Sequence, residues 1–107
     1  RDNGHAIENV VYFELLRRGY DVSIGKVDNS EVDFIANRGN NKFYIQSAFA
    51  MDTEEKQEQE KNSLLNIKDF FKKIIIVKDD IKRKRDENGI VTMSIYDFLL
   101  DENSIEY

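Results

Sequence analysis

The stretch EVDFIANRGNNKFYIQSA, residues Glu31–Ala48, decides the predicted fold because two apolar runs flank a short polar turn. β-Branched and aromatic residues on either side of a Gly/Asn turn are typical of a β-hairpin. With the turn centred between Gly39 and Asn40, Asp33 lies opposite Gln46. Directly opposed antiparallel residues have Cβ atoms about 5 Å apart on one face of the sheet. The sequence therefore predicts a carboxylate beside a carboxamide, a pair that sheet stability alone does not require.

Alternation along the first strand of this hairpin assigns its two faces. Val32 and Phe34 are expected on one face, and Asp33 on the other. An amide N–H of Gln46 donated to the carboxylate of Asp33 is the ordinary structural interpretation of the pair. Because aspartate is disfavoured inside strands, a remnant metal site is the alternative interpretation, and the sequence leaves both open.

Length and composition predict one globular domain over residues 1–107, with 40% apolar residues, seven Phe and five Tyr. No apolar run approaches the roughly 20 residues of a membrane-spanning helix. The absence of cysteine excludes disulfides and thiolate metal sites and is typical of a reducing, cytoplasmic setting. The first residue is not Met, so we expect the chain to be a piece of a longer protein.

Charge is unevenly distributed along the chain. The net charge of −5 opposes general binding to a phosphate backbone, which requires a local excess of Lys and Arg. Four basic residues are nevertheless consecutive, namely Lys82, Arg83, Lys84 and Arg85. A nucleic-acid contact is expected to involve this basic tetrad, and a solvated loop is the alternative.

Hydrophobic periodicity and turn residues predict the element order α-β-β-β-α-β-β-α, a small mixed α/β (α+β) sheet flanked by helices. The first helix covers about His5–Arg18 and ends at Gly19. A second helix is expected to begin with Asp52 as its N-cap and to be amphipathic as far as Phe71. Apart from the hairpin, the predicted strands are Tyr20–Ile24, Ile74–Val77 and Ile90–Met93. Ser94 is expected to cap the last helix.

Glu8 is an unexpected member of the first helix. Its spacing places it on one stripe with Val11, Tyr12 and Leu15. A carboxylate near a helix N-terminus gains about 0.3–1 kcal/mol from the helix dipole. Because the rest of the stripe is apolar, Glu8 is also a candidate site residue.

These elements together resemble the PD-(D/E)XK nuclease superfamily, whose core has the order αβββαβ. The chain resembles more closely the domain of unknown function at the C-terminus of prokaryotic AAA+ family ATPases. The resemblance is carried, in order, by HAIEN (5–9), LLRRGY (15–20), EVDFIA (31–36), YIQ (44–46), SLLNIKD (63–69) and DFLL (97–100). It implies that the chain is the C-terminal fragment of a larger cytoplasmic ATPase. A P-loop module, which binds ATP outside this fragment, and a winged helix would precede it.

The resemblance also assigns a degenerate nuclease site. Glu8 matches the helix carboxylate and Asp33 the motif aspartate, whereas Gln46 stands at the second acidic position. Ala48 stands where active members have a lysine. In active members the carboxylates hold Mg²⁺ and the lysine orients or activates water. Glu8 and Asp33 are therefore expected to bind Mg²⁺ weakly at most, because Gln46 adds no charge.

The predicted function is that of a non-catalytic accessory or interaction domain. The first alternative is a Mg²⁺-dependent DNA nuclease whose lysine comes from another segment, with Lys26 and Lys56 as candidates. A second alternative is a DNA-binding module that uses the basic tetrad without cleaving DNA. A third is a domain that only associates with itself.

Overall fold

The structure is a computed structural model that describes residues 3–49 and 53–107. Its helices and strands are α1 (Asn3–Arg17), β1 (Asp21–Val27), β2 (Ser30–Arg38), β3 (Asn41–Ala48), α2 (Glu54–Leu65), β4 (Lys72–Val77), β5 (Lys84–Arg85), β6 (Val91–Ser94), α3 (Ile95–Leu100) and a short 3₁₀ turn, η1 (Ser104–Glu106). None of the helices in these two ranges is both long and apolar enough to cross a membrane.

The six strands form one open sheet in the order β1-β2-β3-β4-β6-β5. The first three strands are antiparallel neighbours, whereas β3, β4 and β6 run parallel to one another. One buried cluster joins α1 and α3 to one face of the sheet, and a second joins α2 to the other. We call these the α1 face and the α2 face. The predicted class, a mixed α+β sheet with flanking helices, is confirmed.

The central hairpin has the predicted turn and register. Phe34 pairs with Ile45, and the pairing continues to Arg38 and Asn41 at the turn. Gly39 occupies the turn with a φ of +62°, a conformation that glycine adopts without a steric penalty. The Gly/Asn turn therefore fixes the register, as expected from the sequence.

Strand β4 lies in the middle of the core. All four residues from Ile74 to Val77 have no exposed surface. Ile74 and Ile76 belong to the cluster on the α1 face, and Ile75 and Val77 to that on the α2 face. A continuous run of β-branched residues suits a strand covered on both sides, and β4 pairs parallel with β3.

Helix α1 ends where the sequence predicts. Gly19 has a φ of +89°, and its N–H donates to the carbonyl of Leu16 at 2.9 Å. The N–H of Tyr20 donates to the carbonyl of Leu15 at 3.1 Å. These two bonds form a Schellman motif, which satisfies carbonyls at the helix C-terminus.

Helix α2 differs from its prediction at both ends. Its N-cap is Thr53, whose hydroxyl accepts from the N–H of Lys56 at 3.0 Å, whereas the predicted cap, Asp52, lies outside the described residues. The helix ends at Leu65, so the prediction that it continues to Phe71 is wrong. The carboxylate of Asp69 accepts from the N–H of Phe71 at 3.0 Å, and this local turn competes with helix.

The C-terminal region contains structure that the sequence did not predict. Strand β5 comprises two residues of the basic tetrad, for which a solvated loop was the alternative, and it pairs antiparallel with β6. Ser104 and Ile105 of η1 are buried. The guanidinium of Arg18 donates to the hydroxyl of Ser104 at 3.1 Å, which fastens η1 to the end of α1. As predicted, Ser94 caps α3 by accepting from the N–H of Asp97 at 3.0 Å.

Candidate functional site

A β-bulge in β2 positions Asp33. Ile35 pairs with Ser23 of β1, whereas Val32 pairs with Gly25. Two residues of β2 therefore face one residue of β1 between these pairs, and Asp33 is one of the two. Such an extra residue bends the strand and changes the direction in which a side chain points.

The bulge changes the faces assigned to the first hairpin strand. Val32 packs in the cluster on the α2 face, whereas Phe34 packs in that on the α1 face. The prediction that these two residues share a face is therefore wrong. Strict alternation, on which it was based, does not hold across a bulge.

The carboxylate of Asp33 bonds to the neighbouring strand. Its Oδ2 accepts from the backbone N–H of Ser47 at 2.8 Å and lies 3.3 Å from the hydroxyl oxygen of the same residue. By alternation along β3, the side chain of Ser47 lies on the α1 face together with Ile45. The carboxylate of Asp33 therefore lies on the side of the sheet where α1 packs.

Gln46 completes a reciprocal pair of bonds with Asp33. Gln46 is buried, with 7% of its surface exposed. Its side-chain carbonyl accepts from the backbone N–H of Asp33 at 2.7 Å. The backbone ladder of the hairpin extends only as far as Phe34 and Ile45. Beyond this pair, side chains satisfy the N–H groups of Asp33 and Ser47, which the separating strands would otherwise leave unpaired.

We call this reciprocal arrangement of Asp33, Gln46 and Ser47 the hairpin clasp. The predicted proximity of Asp33 and Gln46 is confirmed. The predicted direction of the hydrogen bond is wrong, because the amide of Gln46 accepts from the N–H of Asp33 through its oxygen and does not donate to the carboxylate. The bulge explains the difference, since it turns the Asp33 side chain away from the face that Gln46 occupies.

Position 48 is an apolar contact and carries no charge. Ala48 is 5% exposed and packs in the cluster on the α2 face. Neither candidate for a lysine from another segment is bonded to Asp33. The ammonium of Lys56 pairs with Glu60 at 3.2 Å, and Lys26 lies opposite Glu31 in the β1–β2 ladder.

Glu8 lines a surface groove of about 450 Å³ between α1 and β1. It is half-buried there beside Tyr12, whose ring stacks on that of Phe34 with 6.1 Å between centroids. This is the helix stripe predicted from spacing. Phe34 follows Asp33 in the chain, so the groove adjoins the clasp.

The donor set fits a magnesium ion only in part. Mg²⁺ binds one or two carboxylates and retains several waters, and Glu8 and Asp33 supply two carboxylates on the same side of the sheet. Over the two described ranges, no group of three or more His, Cys, Asp or Glu side chains is arranged to hold a metal ion. Magnesium binding at Glu8 and Asp33 stays a prediction.

The basic tetrad divides between two sides of the sheet edge. Arg83 and Arg85 stack on the ring of Tyr107, with guanidinium carbons 3.6 and 4.7 Å from its centroid, and Arg85 also donates to the main-chain oxygen of Tyr107. Lys84 pairs with Thr92 and points to the α2 face. Lys82 lines one cavity together with Arg83 and another together with Lys84, and the binding of nucleic acid by the four residues stays a prediction.

Sequence reasoning missed two contributors to these surfaces. Ser47 was not identified as a candidate, although a small polar residue next to Gln46 in an apolar strand is a usable signal. Lys61 was not identified either, although it lines a cavity together with Lys84. No local pattern predicts the second case, because the two lysines are far apart in sequence.

The fold and the clasp define a small α+β domain built on a bulged, separating hairpin. By sequence comparison, residues 3–98 match the family described as "Domain of unknown function (DUF4143)", and the chain belongs to this family. An uncharacterized protein of Haemophilus influenzae is 40% identical over 94 residues. The aligned region is 88% of this chain, and the chain spans only 22% of that relative's length.

Proposed function

We propose that the chain is a non-catalytic accessory domain with a degenerate PD-(D/E)XK nuclease-like fold, joined in the cell to a cytoplasmic AAA+ ATPase. In this role it recognises a partner or substrate for the ATPase. The order α1-β1-β2-β3-α2-β4 supports the fold assignment, because it is the order that the nuclease-like core implies.

The clasp is the observation that carries the non-catalytic assignment. The Oδ2 atom of Asp33 accepts two hydrogen bonds from Ser47, and the carbonyl of Gln46 accepts the N–H of Asp33. These groups therefore serve the structure of the hairpin. A hydrolytic site needs groups that stabilise developing charge and orient water. The amide of Gln46, whose oxygen accepts the N–H of Asp33, and the buried methyl of Ala48 add no charge to such a site.

The link to an ATPase rests on the resemblance to the C-terminal domain of prokaryotic AAA+ ATPases. The relative from Haemophilus influenzae supports a longer parent protein, because the aligned region covers 22% of it. ATP and its Mg²⁺ would then bind in the preceding module, and the winged helix would connect that module to this domain.

A plasmid-cleavage assay tests the non-catalytic assignment. The domain is incubated with supercoiled DNA in Mg²⁺ or Mn²⁺, beside the variant Asp33→Ala. We expect both proteins to leave the plasmid as intact as the buffer does. Cleavage that requires the metal and is lost in Asp33→Ala would overturn the proposal and establish the nuclease with a lysine from another segment.

A second experiment tests the ATPase assignment separately. The full-length natural polypeptide that contains this chain is purified as the wild-type protein and as the variant Asp33→Asn. The rate of ATP hydrolysis is measured for both. We expect hydrolysis at the same rate in both proteins, since ATP binds outside this domain. A full-length protein that does not hydrolyse ATP would contradict the assignment.

A further inference from the structure

A second concave site lies on the α2 face, away from the clasp. It is a cavity of about 370 Å³ between α2, the end of β4 and the β5–β6 pair. Three lysines from separate parts of the chain line it, namely Lys61, Lys82 and Lys84, and Thr92 lies at its wall. The volume is within the range of small-molecule sites, which is about 300–1,000 Å³.

The fold holds these lysines together by tertiary contacts. Lys84 is the direct ladder partner of Thr92, and such partners share a face with Cβ atoms about 5 Å apart. Lys61 enters from α2 and is half-buried. Its ammonium is 3.1 Å from the carboxylate of Asp86, which holds the side chain beside β5. The arrangement is therefore partly fixed before any ligand binds.

The site is positively charged, whereas the chain as a whole is negatively charged. Three ammonium groups and the carboxylate of Asp79 line the cavity, and the carboxylate of Asp86 pairs with the ammonium of Lys61, so the local excess is one positive charge. The whole chain carries a net charge of −5. A local excess of positive charge in a concave site concentrates anions there, because low-dielectric walls focus the field.

We propose that this cavity binds a phosphate group. Lysines act as flexible point charges for phosphate oxygens, and the hydroxyl of Thr92 adds a donor at the wall. The phosphate belongs either to a free nucleotide-like molecule or to a nucleic-acid backbone. The proposal uses neither Asp33 nor Glu8, so it does not depend on the function proposed above.

Inorganic pyrophosphate is the first probe, titrated into the ¹⁵N-labelled domain at low salt. We expect saturable amide shifts centred on Lys61, Lys84 and Thr92. The variant Lys84→Gln should weaken binding about tenfold. Lys26→Gln is the matched control, because it removes the same charge from β1, at the opposite edge of the sheet. It should leave binding unchanged.

Two results would overturn the proposal. One is the absence of saturable shifts at these residues with every phosphate probe. The other is an equal loss of affinity in Lys84→Gln and Lys26→Gln, which would show a response to net charge and not to this cavity.

A second arm distinguishes the sources of the phosphate. A short DNA duplex replaces pyrophosphate, and the titration is repeated at several salt concentrations. Shifts at the same residues with a steep loss of affinity in salt support a nucleic-acid backbone as the source. Saturation by pyrophosphate with no response to the duplex supports a free phosphorylated molecule.

Discussion

The carboxylate of Asp33 accepts a hydrogen bond from the backbone N–H of Ser47 at 2.8 Å, at the point where β2 and β3 separate. The strands diverge there because β2 bulges and β3 continues alongside β4. A carboxylate that accepts a backbone N–H forms one of the stronger hydrogen bonds in proteins. The residue that the resemblance assigns to a metal site thus has a structural role that its environment fully explains.

Removing this carboxylate is expected to destabilise the domain. Asp33→Ala leaves the N–H of Ser47 without its acceptor, and we expect a loss of about 1–3 kcal/mol in the free energy of unfolding. Urea denaturation measures this loss. Glu31→Ala is the control, because Glu31 is an exposed acid of the same strand and should cost less than about 0.5 kcal/mol. Equal losses in the two variants would contradict a structural role for Asp33.

A buried arginine joins α1 to the C-terminal elements. Arg18 is 8% exposed and donates to Glu14 at 2.7 Å, to the hydroxyl of Ser104 at 3.1 Å and to the carbonyl of Phe98. Because Arg18→Met leaves these acceptors short of a donor, we expect it to cost about 3 kcal/mol or more in unfolding free energy. Arg17→Met removes the same charge from a side chain that is 57% exposed and should cost less than about 1 kcal/mol.

The order of these two effects is the decisive outcome. If Arg17→Met destabilised the domain as much as Arg18→Met, the anchoring of η1 through Arg18 would be refuted.

The free energy of unfolding is expected to depend on pH in the acidic range because the pKa of Glu14 is lowered in the folded protein. The guanidinium of Arg17 is the main cause that lowers the pKa of Glu14 to about 2, burial opposes this, and Arg18 adds a further lowering contribution. The ordinary pKa is near 4.5, so the unfolded chain takes up the proton first. The stabilisation is complete above about pH 5 and is lost as the pH falls toward about 2.

Comparison with Glu14→Gln isolates this contribution. We expect the wild-type protein to be more stable than the variant at about pH 7, and the difference to shrink on acidification to about pH 3. Thermal unfolding at several pH values measures it. A difference that does not change with pH would contradict the lowered pKa.

Two buried tyrosines are expected to respond differently to loss of the hydroxyl. Among the described residues, the hydroxyl of Tyr20 is buried without a hydrogen-bond partner, and burial raises its pKa. The hydroxyl of Tyr44 donates to Asp69 at 2.6 Å. Tyr20→Phe should therefore be neutral or stabilising, whereas Tyr44→Phe should cost about 1–2 kcal/mol in unfolding free energy. Chemical denaturation of both variants checks this order, and a reversed order would contradict it.

The sequence predicts those parts of the fold that have a local cause. The Gly/Asn turn fixes the hairpin register, Gly19 ends α1, and the continuous run Ile74–Val77 forms the central strand. The end of α2 was not predictable in the same way. Phe70 and Phe71 continue an apolar pattern, but α2 ends at Leu65, and beyond it the N–H groups of Lys68 and Phe71 donate to the carboxylates of Asp28 and Asp69.

The candidate site was predictable in position but not in bonding. The hairpin register is sufficient to bring Asp33 and Gln46 together. Which atoms bond depends on the bulge, and the bulge depends on the pairing of β2 with β1. The cavity that contains Lys61 and Lys84 depends on contacts between distant segments, so its lining cannot be read from the spacing of residues.

The most direct test of the structural role of Asp33 is a titration of the ¹⁵N-labelled domain with Mn²⁺, whose unpaired electrons broaden nearby amide signals. We predict no saturable broadening at Glu8, Asp33 or Ser47 at micromolar metal. Saturable broadening centred on these three residues, and lost in Asp33→Ala, would contradict the account by showing that the clasp is a working metal site.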